Sequence, residues 1–279
     1  MNSKKNKTIL ITGCSSGIGY VTAYELRKRG HRVICAARKA EDVARLQNEG
    51  FICLQLDLAD SVSIHAAVAD LLRLTDGELD AVFNNAAFGQ PGAVEDLSRE
   101  ALRNQFETNF FGTHELTNLL IPLMRRQGHG RIIYNSSILG FVAMKYRGAY
   151  NASKFALEGL ADTLRLELQG SGIYVSLIEP GPIESQFRQN AMIMFSRYID
   201  PSQSYHRETY LALQARLQKP GPAAPFTLPA TAVAKRVMHA LESSNPRIRY
   251  PVTFPTYLFG FLKRLLPSAW LDKLAGAVE

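Results

Sequence analysis

The chain has only three cysteines, Cys14, Cys35 and Cys53, an odd number in which each falls within or beside an apolar run. That pattern excludes a disulfide framework and fits small core residues in a reducing compartment. Its six histidines, His31, His65, His114, His129, His206 and His239, form no pair at metal-ligand spacing, so no metal is expected. No stretch approaches the roughly twenty consecutive apolar residues that a membrane-spanning helix needs. Lys4, Lys5 and Lys7 precede an apolar run as they would in a signal peptide, but that run stops after about four residues, and a cytoplasmic protein is expected. Repeats and low-complexity tracts are lacking too, which excludes solenoids and disorder. Lys and Arg exceed Asp and Glu by 32 to 25, a net charge of +7 that favours anionic ligands or surfaces. The cations are dispersed, with no zinc-finger, recognition-helix or RNA-motif signature, so no nucleic-acid partner is expected.

What is present is an alternation of apolar strands and helical stretches. Thr8 to Ile11, His31 to Ala37, Phe51 to Leu56, Leu79 to Asn84, Arg131 to Ser136 and Ile173 to Glu179 read as strands. Between them lie helical patterns, among them Tyr20 to Arg29, stopped by Gly30, Ser98 to Gln127, and Tyr150 to Gln169, closed by Gly170. Such an order predicts one α/β domain over residues 1–279: a Rossmann-type, doubly wound parallel sheet of about seven strands with helices on both faces. Ligands of such sheets bind at the carboxyl ends of the strands, where the motifs below fall.

Directly behind the first strand comes Thr12-Gly13-Cys14-Ser15-Ser16-Gly17-Ile18-Gly19. Glycines at a strand-to-helix turn let the backbone bend tightly and present bare N–H groups, backed by the helix dipole, to a pyrophosphate. Gly13, Ser15, Ser16, Gly17, Ile18 and Gly19 are therefore candidate cofactor contacts, the alternative being a turn that only connects two elements. The same letters satisfy G-x-S-x-G, the nucleophile elbow of serine hydrolases with Ser15 as nucleophile. Only twelve residues precede Gly13, so no earlier strand could supply that enzyme class with its oxyanion loop. The second strand ends in Ala37-Arg38-Lys39, where dinucleotide folds carry an acid for NAD or an arginine for the 2′-phosphate of NADP. Arg38 points to NADP(H), against the alternative of a solvated surface arginine. Asp57, behind the third strand, could accept from an adenine amine or cap the following helix.

The proton chemistry rests on Tyr150 and Lys154, which share one helix face at a spacing of four. A free tyrosine titrates near 10, and a neighbouring cation is expected to lower that value into the range useful for acid-base catalysis. Tyr24 and Lys28 show the same spacing, but only Tyr150 opens the helix that follows a strand ending in Asn135-Ser136-Ser137.

Together these motifs resemble the short-chain dehydrogenase/reductase superfamily from about Lys7 to Gln186, with weaker likeness to the end. The likeness is closest to NADP-dependent bacterial aldehyde reductases related to retinol and 17β-hydroxysteroid dehydrogenases, carried by Gly13 to Gly19, Asn109 to Gly112 and Glu179 to Ile183. The resemblance implies that Asp57 and Leu58 contact the adenine, and that the Asn84-Asn85-Ala86-Ala87 segment steadies the sheet, with Asn84 and Ala86 at the cofactor. Ala87 departs from the usual glycine there. It further implies that Pro180, Gly181 and Ile183 hold the nicotinamide, and that Ser137 orients the substrate. Tyr150 and Lys154 become the acid/base pair and ribose contacts, while Asn109 keeps a water behind Lys154. Each has a plainer alternative: Ser137 as a loop cap, Asn109 in a kinked helix, Lys154 solvated. The implied activity is NADPH-dependent reduction of aldehydes or ketones, reversibly alcohol oxidation. The other class that these residues allow is a catalytically silent NADP(H)-binding sensor or scaffold.

Residues 184–226 hold Phe187, Met192, Met194, Phe195, Tyr198, Tyr205 and Tyr210, read as a lid over an apolar substrate or as packing of the insertion. The apolar C-terminal extension, residues 253–279, reads first as core or subunit interface and second as a peripheral membrane contact. A homodimer or homotetramer is expected.

Overall fold

The computed structural model describes residues 6–222 and 224–276; Lys4, Lys5 and the last three residues of the C-terminal extension lie outside them. Seven strands form the sheet: β1 Thr8–Thr12, β2 Arg32–Ala37, β3 Ile52–Gln55, β4 Ala81–Asn84, β5 Gly130–Asn135, β6 Ile173–Glu179 and β7 Arg249–Pro251. Their order is β3-β2-β1-β4-β5-β6-β7, and every pairing is parallel. The expected Rossmann-type α/β architecture is present as a single domain.

Period-two alternation splits the apolar residues between two cores. Ile9, Ile11, Val33, Cys35, Phe83 and Ile133 face one side, packed by α1 Gly17–Lys28 and α9 Thr231–Glu242. Leu10, Ile34, Val82, Ile132 and Tyr134 face the other, under α3 Ser61–Leu74, α5 Gly112–Gln127 and α6 Gly148–Glu167. Both faces are covered, which is why these strands read as continuous apolar runs. Chain order reverses between β1 and β4, and the carboxyl ends on either side of that point open the crevice expected to take a ligand.

Ser98 to Gln127 is not the single helix its pattern suggested. Ser98 caps α4 Arg99–Phe106, accepting from Ala101 N at 3.1 Å, and a π-helical turn at Glu107–Phe111 separates α4 from α5. The insertion holds α7 Phe187–Tyr198 and α8 Arg207–Gln218, which build a small core of their own from Phe195, Ile199, Tyr210, Leu213 and Leu217 against Ala93. Residues 40–48 form α2 (Ala40–Asn48), and the chain closes with α10 Phe254–Leu265 and α11 Ser268–Gly276. These last two seat Phe259 and Ala275 on Ile138 and Val142, beside the end of β5.

Candidate active site

Between β1 and α1 the chain turns on Gly13, whose φ of +70° only glycine adopts readily. At Gly19 a Cβ would strike the Gly13 carbonyl and come within 2.7 Å of Asn85 Nδ2, so the first turn of α1 is pressed onto the sheet. Ser16 is the N-cap of α1 with no side-chain capping bond, and the first turn holds no acid. Ser15 and Ser16 are half-buried, and the N–H groups of Gly17, Ile18 and Gly19 are left without intrahelical partners at the positive end of the dipole. That arrangement suits an anion. For a serine nucleophile it is poorly equipped, since among the described residues no histidine is hydrogen-bonded to Ser15.

Polar side chains lock the strand ends together. Thr12 Oγ1 accepts from Asn85 N and Ala86 N, both at 2.9 Å, and Asn85 Nδ2 donates to the Thr12 carbonyl at 2.9 Å. Asn135 Nδ2 donates to Asn85 Oδ1 at 2.9 Å, tying β5 to the same knot. Asn85 and Asn135, not singled out as contacts in the sequence, are thus the residues that join β1, β4 and β5. Asn84 turns its side chain the other way, donating to Thr117 Oγ1 on α5 at 3.0 Å.

Past β2, Arg38 is exposed, and among the described residues its guanidinium has no hydrogen bond or ion pair; only its carbonyl is engaged, by Gln55 Nε2 at 3.2 Å. Lys39 by contrast pairs with Glu41 at 3.2 Å. Asp57 closes a tight turn by accepting from Ala59 N at 3.0 Å, and the cap of α3 is Asp60, accepting from Val62 N at 3.0 Å, so the capping alternative for Asp57 fails. Leu58 is buried in the larger core. On the far side of the crevice the Pro180 carbonyl accepts from Ile138 N at 2.8 Å, Gly181 abuts Thr253, and Ile183 bridges to Leu228. Glycine turn, Arg38, Asp57 and the loop after β6 all follow the carboxyl ends of their strands, and the unpartnered N–H groups of the turn fit the phosphate chain of a dinucleotide.

At the carboxyl end of β5 lie the candidate acid-base residues. Ser137 begins a short 3-10 turn, Ile138–Gly140, accepting from Leu139 N at 3.1 Å, so it acts as a loop cap while its hydroxyl remains beside the Tyr150 phenol. Tyr150 and Lys154 lie on α6, buried at 9% and 3% exposure, which rules out a solvated lysine. The Phe187 ring stands edge-on to Tyr150 with centroids 5.2 Å apart.

The expected lowering of the phenol does not occur in this structure. Burial pushes Tyr150 up to about 12, with the hydrogen-bonding Ser137 hydroxyl pulling the other way. Lys154 Nζ is 5.7 Å from the Tyr150 ring centre and donates instead to the Asn135 carbonyl at 2.6 Å. Burial pushes that amine down to about 8, opposed by the negative charge of Glu158. Desolvation disfavours whichever form is charged, so it moves the phenol up and the amine down.

Asn109 sits on the π turn, 1% exposed. Its Nδ2 donates to the Phe88 carbonyl at 2.9 Å and Ser153 Oγ at 3.3 Å, and its Oδ1 accepts from Phe88 N at 3.1 Å. Both amide hydrogens are taken, so a water behind Lys154 would have to be held by backbone carbonyls that the π turn frees, not by donation from this side chain.

One feature of the site escaped the sequence: Glu158, one turn beyond Lys154, is buried and meets Arg249 at 3.0 Å. Arg249 also reaches Asp162 at 2.7 Å and the buried Glu179 at 3.1 Å. Burial raises Glu158, and it pushes Glu179 up to about 7 with the neighbouring Glu158 charge adding to it and Arg249 opposing. The continued spacing of four, Tyr150, Lys154, Glu158, was the available signal. Among the described residues no group of three or more His, Cys, Asp and Glu could hold a metal ion.

Comparison with known proteins agrees with this geometry. Residues 7–194 match the family model for short chain dehydrogenases. The oxidoreductase YbbO of Escherichia coli K12 is 44% identical over 268 residues, covering 96% of this chain and 93% of that protein. Human retinol dehydrogenase 8 is 35% identical over 226 residues, covering 76% and 71%. A short-chain dehydrogenase structure from Streptomyces avermitilis superposes with a TM-score of 0.76 at 28% identity, covering 97% of this chain and 96% of the other. A crevice built on this knot of asparagines, in a chain so closely matched, leaves one assignment: the protein belongs to the short-chain dehydrogenase family of oxidoreductases.

Proposed function

We propose that the protein reduces aldehydes or ketones of apolar substrates with NADPH, and runs the reverse alcohol oxidation at the same site. The observation that carries this is the buried Tyr150 phenol, packed edge-on against Phe187, with buried Lys154 on the same face of α6, its Nζ tied to the end of β5 at the Asn135 carbonyl, 2.6 Å. The bound cofactor supplies a hydride to the carbonyl carbon. Gly13, Ser15, Ser16, Gly17, Ile18 and Gly19 hold its phosphates, Arg38 its 2′-phosphate, Asp57 and the backbone of Leu58 its adenine, and Asn84, whose side chain is committed to Thr117, and Ala86 meet it through their backbone. Pro180, Gly181 and Ile183 orient the nicotinamide half.

Ser137 and Tyr150 donate hydrogen bonds to the carbonyl oxygen, and Tyr150 gives up its proton as negative charge grows there. A phenol held near 12 is fully protonated at neutral pH, the state that a donor requires. Lys154 stabilises the phenolate left behind and returns a proton towards it, with Asn109 fixing the π turn against the Phe88 loop. Phe187, leaning on the Tyr150 ring, gives the substrate side an apolar wall, which favours bulky apolar carbonyls; the name of the retinol dehydrogenase relative points the same way.

The test is Tyr150→Phe, which keeps the ring packed on Phe187 and removes only the proton. Turnover of an apolar aldehyde should fall by roughly 10²–10⁴-fold while NADPH binding, followed by nucleotide fluorescence, stays within about twofold. Undiminished turnover would remove Tyr150 from the reaction.

A further inference from the structure

Helix α10 has two apolar faces, and the fold uses one. Phe259 is buried against Ile138 and Val142, and Lys263 lies over the Phe141 and Phe155 rings at 5.9 and 5.3 Å. On the opposite side Phe254, Leu258, Phe261 and Leu265 recur at helical spacing, 57%, 39%, 61% and 62% exposed. Phe226 extends that stripe, its ring 5.1 Å from Phe254, and α11 adds Trp270 at 66% exposure. Exposed apolar surface this continuous marks an interaction site.

Charge decides the occupant. With Lys263 turned to the Phe141 and Phe155 rings, the charged side chains that α10 and α11 leave for a partner are Arg264, Asp272 and Lys273, two cations to one acid. A second copy docked by twofold symmetry would bring the same cationic rim against itself, whereas anionic headgroups would neutralise it. An exposed tryptophan beside an amphipathic helix is the side chain that prefers the headgroup level. No helix among the described residues is long and apolar enough to cross a membrane, so the contact is one of lying on the surface. We propose that α10 and α11 form a docking face for an anionic lipid bilayer, with the Phe254–Phe261–Leu265 stripe in the acyl boundary and Arg264 and Lys273 at the phosphates. The inference does not depend on the carbonyl chemistry.

Flotation of the full chain with vesicles of phosphatidylcholine, with and without about one third phosphatidylglycerol, tests it. The protein should float with the anionic vesicles and much less with the neutral ones. Arg264→Gln and Lys273→Gln should each weaken partitioning about fivefold, the effect of one basic residue near a charged surface. Phe261→Glu and Leu265→Glu, at exposed positions outside the proposed catalytic and cofactor residues, should weaken it by at least about tenfold and leave turnover of a water-soluble aldehyde unchanged. Absence of flotation with either vesicle overturns the proposal, as does flotation unaltered in both glutamate variants. So does light scattering in which Phe261→Glu halves the mass of the particle, because the stripe would then belong to a second copy.

Discussion

If Lys154 must carry its proton for Tyr150 to act, the pH dependence of catalysis should report the amine and not the phenol. The buried amine titrates near 8, against 10.5 in its ordinary state, a displacement worth about 3 kcal/mol at roughly 1.4 kcal/mol per unit. Its sign follows from desolvation of a cation: the folded protein releases this proton earlier, as pH rises past about 8. In the direction of reduction, kcat/KM reflects groups of the free enzyme. It should be level from pH 6 to about 7.5 and then fall, approaching tenfold per unit, even though the phenol remains protonated throughout.

Glu158 makes the assignment testable, because its charge is what holds the amine up. Glu158→Gln removes that charge while keeping the shape of the side chain beside Arg249. The limb should move to lower pH by about one unit, equivalent to ~1.4 kcal/mol of lost ion pairing; Arg249, already shared among three acids, limits the shift. Glu158→Asp should retain most of the original midpoint. A purely structural role for Glu158 would lower kcat at every pH and leave the midpoint where it was. A limb that stays near 8 in Glu158→Gln, or a wild-type profile flat to pH 10, would refute the argument.

Two further outcomes are expected. Arg38→Asp should weaken NADPH relative to NADH by about 10- to 100-fold, the range of a lost charged hydrogen bond, measured as the ratio of kcat/KM for the two nucleotides; an unchanged ratio would place the 2′-phosphate elsewhere. Arg249→Gln should lower stability by about 2 kcal/mol, less than the 3–5 kcal/mol of a fully buried broken pair because its side chain is 35% exposed. Glu179 has its folded value raised to about 7, so its contribution to stability is present below about 4.5 and lost as pH rises through 7. The Tm loss in Arg249→Gln, roughly 4–8 °C, should therefore be larger at pH 8 than at pH 5.5, and a loss independent of pH would separate Arg249 from the buried acids.

What the sequence disclosed and what it withheld divide along physical lines. Six strands were legible because both sheet faces are covered, which makes each strand an apolar run with ends right to within two residues. β7 was not placed: three residues ending in Pro251, paired only along Leu177 to Glu179, make too short a signal. The π turn at Glu107–Phe111 was hidden because one extra backbone residue does not interrupt the apolar pattern on either side. Spacing brought Tyr150, Lys154 and Ser137 together because they share the junction of β5 and α6. Their ionisation was illegible, since burial comes from the whole fold, including the Phe187 ring of a distant insertion. The aromatics of that insertion look alike in the sequence, yet Phe195 and Tyr210 are fully buried in its own core and Tyr205 is 94% exposed.

The opposite displacements of phenol and amine also bear on direction. At pH 7 reduction starts from the protonation states that burial already favours: a phenol near 12 holding its proton and an amine near 8 mostly charged. Oxidation needs the phenolate, about five units from that pH, or ~7 kcal/mol if nothing else stabilised it. Ser137 opposes part of that cost. The remainder has one ready source, the Lys154 ammonium, which has three donors and spends one on the Asn135 carbonyl. Under the proposed chemistry, the lysine supports oxidation only by turning another of those donors towards the phenol. Reduction instead draws on that stabilisation after the proton has left, so the asymmetry lies in the order in which one buried cation is used.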